Sequence, residues 1–189
     1  MSIKSFLDIS VIKEKADGVL YKAYKMGFYD FNSATPLDLI VERGCGLNII
    51  FEDLDKDLEG LLGAIDLETK AIWLDNSLNH YETKQFCDEA RCNYTIAHEI
   101  GHFVLHRDLF KQNSLLAFHN ELDGKVKKIE TQADMFAARL LMPIELMYKK
   151  WNQDFSSISS YNERIMAMTN FFRVSRESMR YRLDSLEMI

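Results

Sequence analysis

The segment AHEIGHFVLH, residues 97–106, constrains what this chain can fold into more than any other stretch. It sets His98, His102 and His106 at four-residue intervals and puts Glu99 directly after the first. Its apolar residues keep helical spacing, and helical residues four apart lie about 40° apart in azimuth and one turn apart in height. The imidazoles of His98 and His102 can then reach one ion, at the 2.0–2.1 Å typical of zinc–nitrogen bonds. Two ligands do not complete a site. A third must come from elsewhere in the chain, and Gly101 permits another backbone to approach closely.

HExxH on a helix has a specific chemistry. Its glutamate stands beside the metal's water and serves as general base, and the same carboxyl can return the proton to a departing amine. The bland alternative is a chance HxxxH on a half-exposed helix. The helical context, Gly101 and a carboxylate pair downstream weigh against it. His106 lies about 12 Å further along the axis than His98, too far to share a tetrahedral ion on a straight helix. The longer HExxHxxGxxH pattern would need glycine at 105 and histidine at 108, where Leu105 and Asp108 stand. His106 is therefore read as a polar neighbour of the site.

For the third ligand the best source is ETQADMFAARLLMP, residues 130–143. Glu130 and Asp134 share one helical face there, and Ala133, Ala137 and Ala138 allow close helix packing. Glu130 is the favoured ligand; Asp134 could accept the outer N–H of a ligating histidine and fix its tautomer. His119, Glu121 and Asp134 are the reserve ligands. Zinc is the first expectation for such a donor set, and manganese or cobalt can occupy the same ligands.

Around these motifs the order of elements is helices, a small sheet, then helices, an α+β arrangement. Residues 11–29 read as an amphipathic helix. Thr35-Pro36 marks the next helix start, with Thr35 as N-cap and Pro36 first in the helix, and Gly44-Cys45-Gly46 marks its stop. Residues 47–51 read as a strand, and 61–65 with 71–74 as a hairpin turning at Glu68-Thr69-Lys70. Helical pattern runs from about Gln85 to His106 and again over 126–142, closed by Pro143. In the tail, helix, turn at Val174-Ser175 and helix follow, with Ser175 as N-cap.

Composition removes several function classes. At 189 residues with 47% hydrophobic content the chain can bury a full core. A net charge of −6 gives no global attraction to nucleic acid or anionic membranes. No stretch is long and apolar enough to span a bilayer, and the N-terminus lacks the core of a signal peptide. Cys45, Cys87 and Cys92 form no CxxC pair and suit a reducing cytoplasm. Cys87 and Cys92 could join His98 in a structural zinc site, but that leaves Glu99 without a purpose. The alternating Asp53, Asp55 and Asp57 lack the glycine and glutamate of a calcium loop. Arg173, Arg176, Arg180 and Arg182 make the tail the most basic stretch. A helical pair packed on the catalytic domain is favoured there over DNA binding. Tyr94, Tyr148 and Tyr161 are candidate oxyanion donors, and spacing selects none of them.

RCNYTIAHEIGHFVLH, followed by ETQADMFAARLLMP, resembles the ImmA/IrrE family of metallopeptidases, relatives of the thermolysin-like group. TPLDLIVERGCGLNIIF, GLLGAIDLETKAIWLD and FFRVSRESMRYRLDSL resemble that family's flanking segments, so the likeness runs from about residue 17 to the C-terminus. It implies a small three-stranded sheet on a helical zincin-like core with C-terminal helices. Residues 1–148 would form the peptidase domain and 149–189 a helix-turn-helix-like segment packed on it. It implies His98, His102 and Glu130 as zinc ligands, Glu99 as catalytic base, and a helix-turn-helix transcriptional repressor as protein substrate. By analogy with thermolysin-like enzymes, the strand at residues 71–75 would pair with an extended substrate segment. The competing reading is a metal-stabilised protein that inactivates a repressor without cutting it.

Overall fold

A computed structural model describes residues 7–54, 61–79, 86–110 and 124–189. Helix α1 spans Ile9–Lys25. The Asp8 carboxylate accepts from the Ser10 amide at 2.8 Å to cap it, and Ile12, Ala16, Leu20 and Ala23 make its buried stripe. This helix starts earlier than the 11–29 pattern suggests because Asp8 caps it, and ends earlier because Gly27 takes a left-handed φ of 79° and turns the chain away.

Helix α2, Leu37–Leu39, widens into a π-helical turn over Ile40–Cys45 and stops at Gly46, whose φ of 69° supplies the left-handed cap. Its start differs from expectation by one position. Pro36 sits at the cap, and the Thr35 hydroxyl donates to the Leu140 carbonyl at 2.7 Å instead of capping. That carbonyl belongs to the last turn of a helix, where no intrahelical N–H can reach it, so the long-range bond satisfies an otherwise orphaned acceptor.

Strands β1 (Asn48–Glu52), β2 (Gly63–Asp66) and β3 (Ala71–Asp75) form one sheet in the order β1-β3-β2. β2 and β3 are the expected hairpin. Its turn is fixed by Asp66, whose carboxylate accepts from the Glu68 amide at 2.8 Å and the Thr69 hydroxyl at 2.6 Å. β1 runs parallel to β3, with Asn48 opposite Ala71 and Glu52 opposite Asp75. β3 is thus the central strand, hydrogen-bonded on both sides. It has no free edge for a substrate segment, which corrects the role assigned to residues 71–75. The outer edge of β2 ends the sheet on the side nearest the histidine helix. A Cβ at Gly63 would collide with the Thr95 methyl of that helix, so only glycine lets the strand lie so close.

Helix α3 spans Phe86–Leu105 and carries His98, Glu99 and His102; a short α4, Arg107–Phe110, follows. Helix α5, Gly124–Leu141, crosses α3 in the most extensive helix pairing of the fold. At Gly101 the two backbones nearly touch: an added Cβ would meet Ala133 Cα, Ala133 O and Phe136 Cδ1, each at 3.2 Å. α5 is also tied to α1, because Arg139 forks onto Asp17 at 2.7 and 2.6 Å.

Pro143 ends α5, and α6 (Ile144–Lys149) continues as a π turn over Lys150–Asp154. Helices α7 (Tyr161–Phe172) and α8 (Arg176–Ser185) close the chain, with Ser175 accepting from the Ser178 amide at 3.0 Å as the N-cap of α8. Ile165, Met168, Phe172, Met179 and Leu183 belong to the same hydrophobic cluster as Leu20, Leu74, Ile100 and Phe136. No α-helix of the described residues is long and apolar enough to cross a membrane. The acidic stretch 55–60, His119, Glu121 and the Cys87 side chain lie outside what is described.

Candidate metal centre

The close α3–α5 crossing brings three donor groups together. His98 Nε2 stands 2.9 Å from His102 Nε2 and 3.0 Å from Glu130 Oε2, and His102 Nε2 lies 3.4 Å from Glu130 Oε1. Ligands held at 2.0–2.1 Å around a tetrahedral ion are separated by about 3.3 Å, so this triangle has the size one cation needs. The two imidazoles meet edge-on at 73°, with ring centroids 4.6 Å apart. All three groups offer a ligand atom within 4.8 Å of the others, and together they could hold a metal ion. The donor chemistry, two imidazoles and one carboxylate, fits a borderline divalent cation.

Each histidine is oriented from behind. His98 Nδ1 donates to Asp134 Oδ1 at 2.9 Å, and that oxygen also accepts from the Tyr94 hydroxyl at 2.8 Å. With its proton on Nδ1, His98 presents a lone pair at Nε2. His102 Nδ1 faces His106 Nδ1 at 3.2 Å, and His106 Nε2 faces Gln132 Oε1 at 2.9 Å. A lone pair on His102 Nε2 requires a proton on its Nδ1. His106 must then accept at Nδ1 and donate from Nε2 to the glutamine oxygen, which fixes both tautomers in sequence.

Without a metal the electrostatics instead favour a charged His98, so a bound cation would take the place of its Nε2 proton. Burial opposes a charge on His98, yet bonds to Asp134 and Glu130 and the nearby Glu99 charge push its pKa up to about 10. Burial alone would raise Glu130, but its contacts with His102 and His98 hold its carboxyl well below the usual range. Burial and the neighbouring imidazoles, against the pull of Gln132, press His106 down to about 4 and keep it neutral. Three carboxylates thus act on one imidazole, Asp134 at Nδ1, Glu130 at Nε2 and Glu99 nearby, a field that favours positive charge.

Glu99 is buried, with 4% of its surface exposed, and its charge acts on His98. His106 occupies the neighbouring position read from its spacing, in contact with a ligand-type histidine and outside the donor triangle. Tyr94 bonds to Asp134 and Tyr148 donates to the Leu186 carbonyl, while Tyr161 packs edge-on against Trp151. The first two hydroxyls are committed to support roles. Gln132 went unread in the sequence. Its signal is its place in the buried stripe Ile129, Gln132, Ala133, Phe136, Ala137 and Leu140: an uncharged polar side chain on a largely apolar face.

The family model of the IrrE N-terminal-like domain, Peptidase_M78, matches residues 43–184. The chain belongs to that family. The ImmA/IrrE resemblance read from the two central motifs is this same family, and the match begins later than the resemblance at residue 17. No curated protein matches the chain. Among solved structures, a Mycobacterium tuberculosis transcriptional regulator superposes with a TM-score of 0.58 at 14% identity, over 94% of this chain and 52% of that one. That likeness shows a shared fold, and the chain spans about half of the regulator's length.

Proposed function

We propose that the chain is a zinc-dependent endopeptidase that cleaves a specific protein, a helix-turn-helix transcriptional repressor, in the cytoplasm. The observation that carries this reading is the convergence of His98, His102 and Glu130 on one point, with Glu99 beside the first ligand. A bound divalent ion supplies Lewis acidity there, making water acidic enough to ionise near neutral pH and polarising a carbonyl.

The chain's own residues do the rest. Glu99 takes the proton of the attacking water and delivers it to the departing amine. Asp134, backed by Tyr94, holds the ring of His98; His106, backed by Gln132, holds that of His102. An extended substrate segment adds to the outer edge of β2, Gly63–Asp66, beside Thr95, one turn before His98. Main-chain pairing of that kind supplies affinity with little sequence information, so a second surface must select the partner.

The family match supports the peptidase chemistry, and the fold shared with a transcriptional regulator supports a place in gene control. The unpaired thiols of Cys45 and Cys92 support a reducing compartment. Partner recognition is assigned to protein contacts, because Arg173 pairs with Glu89, Arg176 bonds to Asn162 and Arg182 turns inward onto Met142.

The deciding variant is Glu99→Gln, incubated metal-loaded with the repressor encoded beside this chain and read by intact mass. Loss of the cleaved products with zinc content unchanged is expected. Full inactivation of the repressor by the variant, without cleavage, would replace this reading with that of a metal-stabilised binding protein.

A further inference from the structure

A cleft of about 820 Å³ lies between α1, α5 and α8; none of His98, His102 and Glu130 lines it, though Asp134, which bonds to His98, does. Small-molecule sites span about 300–1,000 Å³ and are mostly apolar with a few placed polar groups. This one has apolar walls from Ile12, Met135, Ala138 and Met142. Two charged regions bound it. Asp134 lines one, and Arg182 lies by Met142, eight positions or about 12 Å further along α5.

The charges at the two regions are not equivalent. Asp134 is already engaged by His98 and Tyr94. Arg182 sends Nε and Nη2 to the single carbonyl of Met142, at 3.2 and 3.0 Å, and among the described residues no carboxylate forms an ion pair with it. Of the two acids that act on Arg182 through space, Asp17 is engaged by the fork of Arg139, and Glu145 makes no ion pair with Arg182. Burial and the like charge of Arg139 pull the Arg182 pKa down to about 10, against the opposing pull of Asp17 and Glu145. Bonding to the end of α5 accounts for the Met142 carbonyl and leaves the guanidinium without a carboxylate in direct contact among the described residues. Exposed Lys13 and Glu177 also line the cleft, one charge of each sign.

We propose that this cleft is a binding site for a small amphipathic carboxylate, seated with its headgroup on Arg182 and its aliphatic chain along Ile12, Met135 and Ala138. A carboxylate gives the half-buried guanidinium a bidentate pair, the geometry it favours. The reverse orientation would set two carboxylates together at Asp134. The walls give the chain a dry surface about as long as the span between the two charged regions. Because Asp134 and Tyr94 also line the cleft, its occupant lies against the groups that orient His98. Binding itself does not depend on a metal or on peptidase activity, so the proposal and the function above fail separately.

The experiment is calorimetric titration of the full metal-free chain with decanoate below its micellar concentration, with decanol and decyltrimethylammonium as headgroup controls. Methionine-methyl NMR locates the bound molecule. Saturable binding of decanoate is expected, at least tenfold tighter than either control, with the largest shifts at Met135 and Met142. Arg182→Gln, which keeps a donor for the Met142 carbonyl, should weaken decanoate at least tenfold, and Arg182→Lys should recover part of the loss. No saturation, equal affinity for the controls, or shifts centred on other methionines would each overturn the proposal. These wild-type readouts decide the matter even if the glutamine variant fails to fold.

Discussion

Replacing Gly101 and Gly18 by alanine, one at a time, turns the α3–α5 contact into a measurable quantity. Both glycines lie inside helices, where alanine is ordinarily the better residue by about 1 kcal/mol. At Gly18, on the exposed side of α1, an added Cβ meets nothing within 4 Å. Gly18→Ala should therefore collect the whole gain of about 1 kcal/mol. At Gly101 the same atom meets Ala133 Cα, Ala133 O and Phe136 Cδ1 at 3.2 Å. Two of these contacts are backbone, which cannot swing aside, so α3 and α5 must part by a few tenths of an ångström. Overpacking of this kind costs about 1–3 kcal/mol, which cancels or exceeds the propensity gain and leaves a net loss of up to about 2 kcal/mol. For a chain of this size each kcal/mol moves Tm by about 2–4 °C. The parting also separates His98 and His102 on one helix from Glu130 on the other. Urea melts with and without zinc, and zinc titration against a competing chelator, would read both effects. Gly18→Ala should be more stable than wild type with unchanged zinc affinity, and Gly101→Ala less stable with weaker zinc binding. Equal stabilisation by both substitutions would refute the packing argument.

Three further outcomes follow from the same contacts. Asp134→Asn removes the carboxylate behind His98 and should lower zinc affinity about 10–100-fold with little change in the metal-free fold, as outer partners of ligating histidines do; Tyr94→Phe should do the same more weakly. Gln132→Leu removes the acceptor used by His106 Nε2 in a buried place, and should cost about 1–3 kcal/mol of stability in a denaturant melt, whereas Gln132→Glu keeps an acceptor and should recover much of it. Acid should loosen the β2–β3 turn: the Thr69 hydroxyl, against some burial and with the Glu68 and Thr69 amides, holds Asp66 below its ordinary pKa. The stability this lends is present above the unfolded carboxylate pKa of about 3.9 and lost as pH falls through the lowered value. Asp66→Asn should flatten that acid-side dependence in melts taken across it.

Much of the fold was legible because its signals are local. The Asp66–Lys70 turn, the Gly46 stop and the Ser175 cap each depend on residues a few positions apart, and sequence spacing reports such contacts directly. HEIGH and ETQAD were legible for the same reason, since helical geometry fixes which side chains share a face. That Glu130 would meet the histidines was a question of packing, and Gly101 with Ala133 carried the hint. What escaped was long-range. A hairpin looks the same in sequence whichever of its strands takes a third partner, so the central place of β3 was hidden. Thr35 carries a good N-cap side chain, and only the fold reveals Leu140 as its acceptor, 105 positions away. Gln132 and Tyr94 lack a distinguishing spacing because their roles are to bond to groups on another helix.

The central claim is that His98, His102 and Glu130 bind one cation, and X-ray absorption at the zinc edge of the chain loaded with one equivalent tests it directly. Two imidazole nitrogens and a carboxylate oxygen are expected at about 2.0–2.2 Å, without sulfur near the 2.3 Å of a zinc–thiolate bond, and Glu130→Ala should lose the oxygen contribution and weaken binding. Sulfur in the first coordination shell, or a spectrum and affinity unchanged by Glu130→Ala, would contradict it.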